Sequence, residues 1–206
     1  MKSFNELKTV YDKVFKDING YAVSLNERNS KINDNVIRDV LYGESPVELL
    51  YALLSLDCVK KYIDKAENFY DLGSGIGNVV IGAYLTGNFQ KCVGIELLDS
   101  LYNLSLKAKQ NINNIDKNSI NKIYFEHNNL MYTDISEADV IYFSCPTKND
   151  ELRIKMEEKF TKDLKSGTLI FSLIHVFNNK TDFELITARM VRSAWGETPM
   201  MIYVKK

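Results

Sequence analysis

The residues with the clearest chemical signature in this chain are three glycines and two acids that follow consecutive apolar runs. Asp71 opens the pattern DxGxGxG, in which the glycines are Gly73, Gly75 and Gly77, and Glu96 ends the next apolar run. Glycines let a backbone turn sharply and approach a ligand closely, and a carboxylate at the end of a second strand can accept both hydrogen bonds of a ribose diol. The pattern predicts a site for a nucleoside-containing cofactor.

The order of these residues separates two kinds of cofactor. Dinucleotide sites usually read GxGxxG, whereas here the third glycine comes one residue earlier and Asp71 precedes the first glycine. A carboxylate at that position would repel a pyrophosphate and suits a cation. S-adenosylmethionine carries an ammonium and a sulfonium but no phosphate, so the pattern favours it over NAD. A glycine-rich turn in an α/β fold without any ligand is the remaining interpretation.

Length and charge limit the classes of protein to which the chain can belong. Its 206 residues are enough for one α/β core and too few for that core plus a second full domain. We therefore expect an N-terminal helical extension with a cofactor-covering loop over residues 1–45, and one Rossmann-like domain over residues 46–206. A formal net charge of −1 argues against tight nonspecific nucleic-acid binding.

Cysteine spacing and apolar segments indicate where the protein works. Cys58, Cys92 and Cys145 are odd in number and lack metal-ligand spacing, so we expect neither a disulfide framework nor a metal site. The N-terminus lacks an apolar signal segment, and no stretch reaches the roughly 18 apolar residues of a membrane span. We expect an intracellular, cytoplasmic protein with no membrane partner, and its oligomeric state is left open.

The elements that must position the acids and glycines alternate from residue 67 onward. This alternation predicts an α/β fold with a doubly wound, mostly parallel sheet, which a C-terminal antiparallel hairpin closes. Strands are predicted at 68–72, 91–96, 121–126, 138–144 and 168–175, helices at 77–86, 99–113 and 149–164, and the hairpin at 186–194 and 200–204 around a turn at 195–199. Ligands bind such sheets beyond the carboxyl ends of the strands, which gathers Asp71, Glu96, residues 128–130 and residues 144–147 around one crevice.

The segment before the sheet is predicted to be helical with one polar connection. Apolar residues at helical spacing predict a helix over 3–18, and a second helix is expected over 34–41, after a polar connection at 21–32. A third helix is predicted to run to residue 63, with Ser45 as N-cap, Pro46 in the first position and Glu48 completing a capping box.

Four motifs in order along the chain resemble the seven-strand methyltransferases, and most closely the Dot-one (disruptor of telomeric silencing) group of lysine methyltransferases. They are Tyr42-Gly43-Glu44, the DxGxGxG loop, Glu96 and the run Val-Ile-Tyr-Phe-Ser-Cys-Pro-Thr at 140–147. The resemblance spans about residues 38–176. The glycine loop alone is typical of the superfamily, and the Tyr-Gly-Glu tripeptide narrows the match to the group.

The resemblance implies a methyltransferase (EC 2.1.1) that uses S-adenosylmethionine without a metal, releases S-adenosylhomocysteine and acts on a protein lysine. Glu44 would then lie over the methionine end, Glu96 would hold the ribose hydroxyls, Asn129 the adenine amino group, and Leu130 would pack on the adenine ring. The expected cofactor-binding residues are Glu44, Asp71, Gly73, Ser74, Gly75, Gly77, Asn78, Glu96, Leu97, Asn128, Asn129, Leu130 and Ser144.

The chain also departs from that group. Asn129-Leu130 stands where the group usually has Asp and an aromatic, and Ser144-Cys145-Pro146 stands where the histone enzymes commonly have Asn-Asn-Phe. The basic extension that holds nucleosomal DNA is absent, so a histone substrate is not implied. A small-molecule methyltransferase and a methyltransferase-like binding module without catalysis are the alternatives.

The candidate catalytic residues are Ser144 and Tyr42. Ser144 follows the predicted fourth strand and is expected to orient the acceptor amine, although a helix cap is an equal alternative. Tyr42, Tyr132 and Trp195 are candidates for an aromatic substrate channel, whereas Tyr142 is expected in the core. His127 and His175 lie near strand ends but are expected to be surface or structural residues.

Overall fold

The computed structural model describes residues 3–30, 42–144, 149–173, 177–193 and 196–206. The helix predicted at 34–41, the segment 145–147 after the fourth strand, His175 and Trp195 lie outside the described residues. Within the described part of the chain, no helix has the length and apolar character needed to cross a membrane.

The described residues form one seven-stranded sheet in the order β3-β2-β1-β4-β5-β7-β6. The first five strands run parallel, and β7 pairs antiparallel with both β5 and β6. The strands are β1 (Asn68–Leu72), β2 (Lys91–Glu96), β3 (Ile123–His127), β4 (Val140–Ser144), β5 (Leu169–Leu173), β6 (Phe183–Ser193) and β7 (Gly196–Lys205). The predicted fold class, a mostly parallel sheet with a C-terminal antiparallel hairpin, is confirmed.

The helices cover both faces of this sheet. On one face, α1 (Phe4–Phe15), α3 (Val47–Leu54) and α5 (Asn78–Thr86) share an apolar cluster with the strands, and α5 is buried along its whole length. On the other face, Met156 and Phe160 of α7 (Asp150–Asp163) pack against the strands. Because the central strands are covered on both sides, β4 is apolar without alternation.

The N-terminal segment differs from its predicted organisation in two places. The polar connection predicted at 21–32 is wrong: α2 (Gly20–Ser30) is a helix whose buried residues are the small Gly20 and Ser24, so it shows no apolar periodicity. The helix predicted to run from Ser45 to residue 63 ends at α3, and a separate α4 (Asp57–Ile63) follows.

The predicted cap of that helix is also wrong. Pro46 is the N-cap of α3, while the Ser45 hydroxyl accepts a hydrogen bond from Tyr142 Oη at 2.7 Å. Tyr142 is buried in the core, as predicted. Ser45 therefore fastens the segment before α3 to β4 instead of capping the helix.

The remaining elements shift by a few residues. A 3₁₀ helix (Lys117–Asn121) precedes β3, so the third strand begins later than predicted. Helix α6 (Asp99–Ile115) follows β2 in the chain and leads into this 3₁₀ helix. In the C-terminal hairpin, Ser193 pairs with Gly196. The turn predicted at 195–199 is wrong, because residues 196–199 already belong to β7.

Candidate active site

The glycine loop after β1 has a backbone that only glycine adopts readily. Gly73, Gly75 and Gly77 have φ values of +84°, +55° and +85°, which are strained for other residues. A Cβ on Gly77 would lie 2.7 Å from Phe125 Cε1, so this glycine is needed for packing. Among the described residues, only Ser144 O lies near the position of a Cβ on Gly73, at 3.9 Å, so this side of the loop is open in the described part of the chain.

Glu96, at the end of β2, holds the loop in place. Its Oε2 accepts the Gly75 N–H at 2.7 Å and its Oε1 accepts the Leu98 N–H at 2.8 Å. Its side chain lies in a buried environment, with 7% of the residue exposed. Burial raises the pKa of Glu96, and the hydrogen bonds from the backbone oppose this increase.

Asp71 lies deeper in the same site. It is 3% exposed, and burial together with the charge of Glu96 raises the pKa of the Asp71 carboxyl well above its usual value. Two acids close together in a buried setting disfavour each other's ionisation. A cation bound nearby would relieve this penalty.

Tyr42 packs on the outer side of the glycine loop. A Cβ on Gly75 would lie 2.9 Å from Tyr42 Cε2, so the ring approaches the loop backbone directly. The Tyr42 hydroxyl donates to Glu44 Oε1 at 2.7 Å. Burial first, and then the charge of Glu44, raise the pKa of Tyr42, so the phenol stays protonated at neutral pH.

A cavity of about 440 Å³ lies at the carboxyl ends of β1, β2 and β4. This volume falls within the roughly 300–1,000 Å³ that is typical of small-molecule sites. Residues of the predicted site that line it are Tyr42, Gly73, Glu96, Leu97, Asn128, Asn129, Leu130 and Ser144, together with the channel candidate Tyr132. The predicted crevice therefore exists, and both candidate catalytic residues border it.

Other residues of the predicted cofactor set do not line this cavity. They are Glu44, Asp71, Ser74, Gly75, Gly77 and Asn78. The buried Ser74 Oγ lies against Gly94, and Asn78 Nδ2 donates to Ser45 O at 3.3 Å. These two side chains support the loop and the start of α5.

The cavity also has walls that the sequence analysis did not assign. Leu98 and Leu101 come from the start of α6, and Leu152, Lys155 and Met156 from α7. The α7 residues are spaced i, i+3 and i+4, so they share one helix face. In the sequence, this spacing in the helix that follows the fourth strand could have indicated that these residues line the site. Further unassigned lining residues are Gly43, Leu72, Ile95 and Met131.

The side-chain oxygen of Asn129 accepts a hydrogen bond within its own turn. Its Oδ1 accepts the Met131 N–H at 2.9 Å, and its backbone N–H is held by Asn128 Oδ1 at 2.8 Å. Asn129 also lines the cavity.

Ser144 ends β4 beside Gly73. Its hydroxyl is buried, and no residue of the described chain hydrogen-bonds to it. A buried hydroxyl without a partner is costly, so a water molecule, an ion or a ligand at this position would satisfy it. His127, in contrast, stacks on Tyr102 at the surface and contacts Leu97 O at 3.0 Å.

Comparison with known proteins identifies the family of this chain. A model of the family described as Histone methylation protein DOT1 matches residues 21–195. The chain belongs to this family. It has the class I fold of S-adenosylmethionine-dependent methyltransferases and is most like the DOT1 members, as the four motifs predicted.

Individual relatives agree with this family assignment. A protein-lysine N-methyltransferase of Saccharolobus islandicus (strain REY15A) is 33% identical over 134 residues, which cover 65% of this chain and 75% of that protein. A candidate RNA methyltransferase of Pyrococcus horikoshii has a TM-score of 0.59 at 11% identity, covering 100% of this chain and 98% of the other. A candidate methyltransferase of Escherichia coli has a TM-score of 0.58 at 12% identity, covering 79% and 88%. The solved structures share the fold.

The fold of this DOT1-family chain implies S-adenosylmethionine as cofactor, and the cavity fits that molecule. Glu96 offers a buried carboxylate to a diol, the open side of Gly73 allows a ligand to approach the backbone, and Leu130 adds an apolar surface. When bound, this cofactor supplies an electrophilic methyl group. The chain contributes binding, orientation and exclusion of water.

Proposed function

We propose that this protein transfers a methyl group from S-adenosylmethionine to the side-chain amine of a lysine in another protein. The single observation that carries the proposal is the Ser144 hydroxyl at the mouth of β4, which is buried without a partner among the described residues and borders the cavity that Glu96 also lines. The S. islandicus relative, named as a protein-lysine N-methyltransferase, supports the choice of acceptor.

In this proposal, the cofactor lies along the carboxyl ends of β1 and β2. Glu96 accepts the ribose hydroxyls, and Asn129 with Leu130 receives the adenine. The Gly73–Gly77 loop and Glu44 surround the methionine end, where the acid Asp71 favours a cationic ligand. The assignments of Gly73, Glu96, Asn129 and Leu130 are supported by their places in the cavity wall, and those of Glu44 and Asp71 by the resemblance to the DOT1 group alone.

The acceptor amine must be neutral before it can attack. Lysine loses its proton more readily in apolar surroundings, because desolvation disfavours the ammonium. Leu152 and Met156 supply such surroundings on α7, and Ser144 Oγ can accept an N–H of the amine to orient its lone pair. The Tyr42 hydroxyl stays protonated and donates to Glu44 Oε1, so it supports the wall of the site. Because desolvation favours release of the amine's proton to water, the proposal requires no dedicated base.

Transfer of a tritiated methyl group from S-adenosylmethionine into a fractionated cell lysate tests this function. The protein, nucleic-acid and small-molecule pools are counted separately after incubation with the wild type or with Glu96→Ala. We expect label in protease-sensitive material with the wild type and none with the variant.

Other distributions of label contradict the proposal. Label in the small-molecule pool would identify a small-molecule methyltransferase, and label in the nuclease-sensitive pool a nucleic-acid enzyme. No label in any pool, together with retained binding of S-adenosylhomocysteine, would indicate a binding module without catalysis.

A further inference from the structure

Helix α2 makes an unusually close contact with the residue that covers the glycine loop. A Cβ on Gly20, the first residue of α2, would lie 2.7 Å from Tyr42 Cζ and 2.8 Å from Ile76 Cγ2. The next residue, Tyr21, packs edge-on against Tyr42 with the ring centroids 5.2 Å apart. Because Gly20 carries no side chain, the Tyr42 ring fits between α2 and Gly75.

The other end of α2 is fastened to the opposite side of the site. Glu27 accepts the backbone N–H groups of Asp99, at 3.2 Å, and of Ser100, at 2.8 Å. These are the first residues of α6, directly after β2 and the cavity residue Leu98. A carboxylate at this position satisfies free amides and interacts favourably with the helix dipole.

Glu96 also connects the glycine loop with the start of α6, through hydrogen bonds inside the site. It accepts the N–H of Gly75, on which Tyr42 packs, and the N–H of Leu98, which precedes the residues held by Glu27. Glu27 and Glu96 therefore hold consecutive backbone N–H groups, those of Asp99 and Ser100 and that of Leu98. The glycine loop and the start of α6 are thus held by Glu96 inside the site and by α2 outside it.

We infer that α2 is a strap that positions the cofactor site, with Gly20 and Glu27 as its positioning residues. Gly20 sets the height of the Tyr42 ring over the glycine loop, and Glu27 fixes the start of α6. This inference rests on the proposed function, because it assumes that the cavity binds S-adenosylmethionine. It assigns part of the cofactor affinity to a helix that does not itself line the cavity.

Calorimetric titration with S-adenosylhomocysteine tests the strap. Gly20→Ala adds a Cβ that must displace Tyr42, and we expect the Kd to rise about tenfold or more. Alanine is favoured over glycine in helices. A substitution that acted only on the backbone of α2 would therefore not lower the thermal midpoint and would leave the Kd unchanged. Gly82→Ala is the matched control: its Cβ also meets close neighbours, Val47 Cγ2 at 3.0 Å, but away from the cavity. We expect its Kd to stay within about twofold of the wild type.

A double-mutant cycle separates positioning from general destabilisation. In a Tyr42→Ala background, Gly20→Ala should raise the Kd much less than it does in the wild type, because the Tyr42 ring is gone and only the contact with Ile76 Cγ2 remains. An equal loss in both backgrounds, or wild-type affinity for Gly20→Ala, would overturn the inference.

Glu27→Gln tests the strap at its other end, and it keeps the inference falsifiable if Gly20→Ala does not fold. We expect Glu27→Gln to bind about threefold or more weakly, because charge-assisted bonds to two amides are lost or weakened. Unchanged binding would overturn the role of Glu27. Failure of the wild type itself to bind S-adenosylhomocysteine would instead refute the proposed function, so the two failures are distinguishable.

Discussion

Glu96 is the residue on which cofactor binding depends most in this account. Its carboxylate is buried, borders the cavity and already organises the glycine loop through Gly75. Glu96→Gln keeps the shape but removes the charge and one acceptor oxygen. Hydrogen bonds to charged groups contribute about 1.5–3 kcal/mol, so we expect the Kd for S-adenosylhomocysteine to rise about 10- to 100-fold.

Glu126→Gln is the matched control for that measurement. Glu126 lies on the neighbouring β3, where it is exposed and pairs in register with Ile95. The control should bind like the wild type in the same calorimetric titration. Equal losses in both variants would show that charge in general, and not the position of Glu96, determines the affinity.

Ser144→Ala should affect activity and stability in opposite directions. The Ser144 hydroxyl is buried without a partner in the described chain, so its removal should leave stability unchanged or slightly higher. Loss of one hydrogen bond to the amine should lower kcat/KM for the protein acceptor about tenfold. The variant's midpoint in urea should match or exceed that of the wild type, and its Kd for S-adenosylhomocysteine should be unchanged. A drop in stability with normal kcat/KM would indicate a structural role.

Asp71→Asn should stabilise the cofactor-free protein more as the pH rises. Burial and the charge of Glu96 raise the folded-state pKa of Asp71. A raised folded-state pKa gives stability that is present below the usual pKa of about 4 and is lost as the pH rises through the raised value. Asn does not titrate, so the variant's advantage in unfolding free energy should grow from pH 4 upward and exceed about 1 kcal/mol at pH 7. Urea titrations at several pH values measure it, and a difference that is independent of pH would contradict the assignment.

Single residues were predictable from sequence where the backbone conformation accepts only one residue type. The glycine loop needs positive φ, so Gly73 and Gly75 were visible in the pattern. The Tyr142 bond to Ser45 was not visible, because it joins residues that are distant in the chain and no local rule demands it. The engagement of Asn129 Oδ1 by its own turn was hidden for a different reason, since the same side chain can face either the turn or a ligand.

At the scale of elements, the segment before α3 is held by a pair of hydroxyls. Ser45→Ala would leave the buried Tyr142 hydroxyl without its acceptor, which should cost about 1–3 kcal/mol of unfolding free energy. In a Tyr142→Phe background the same change should cost less than about 0.5 kcal/mol, because neither partner then remains unpaired. Chemical denaturation of the four proteins measures the coupling. If Ser45→Ala lowered the unfolding free energy equally in both backgrounds, the result would favour the helix-capping role that the sequence predicted.

Elements were predictable where burial imposes a pattern. The parallel strands are apolar runs because helices cover both faces, and this signal gave β1, β2 and β4 nearly at their observed bounds. Helix α2 escaped prediction because it packs through Gly20 and Ser24, which leave no apolar stripe. In the hairpin, residues 196–199 carry turn-forming types but pair as strand, so tertiary pairing overrides their local preference.

At the scale of the whole molecule, the N-terminal helices and the sheet form one packed unit around the site. Leu7 and Val14 of α1 belong to the same apolar cluster as the strand residue Phe69, and α5 is enclosed between them. The predicted division at residue 45 stays a prediction. The variants of Gly20 and Glu27 test the predicted role of the N-terminal segment in covering the cofactor site.

The net charge of the molecule bears on its acceptor. A formal charge of −1 provides little long-range attraction for a polyanion. We therefore attribute acceptor choice to the neighbourhood of Ser144 and not to a field that gathers nucleic acid. The protein fraction used as methyl acceptor can therefore be treated with nuclease before the assay, and we expect no loss of methyl transfer.

Amino-acid analysis of labelled acceptor protein tests the central claim most directly. Nuclease-treated protein is incubated with the enzyme and tritiated S-adenosylmethionine, freed of cofactor, hydrolysed in acid and separated with standards. The account predicts that the radioactivity elutes with ε-N-methylated lysine and is absent with Glu96→Gln at limiting cofactor. Radioactivity that elutes with another methylated amino acid, or none in the protein while small molecules are labelled, would contradict it.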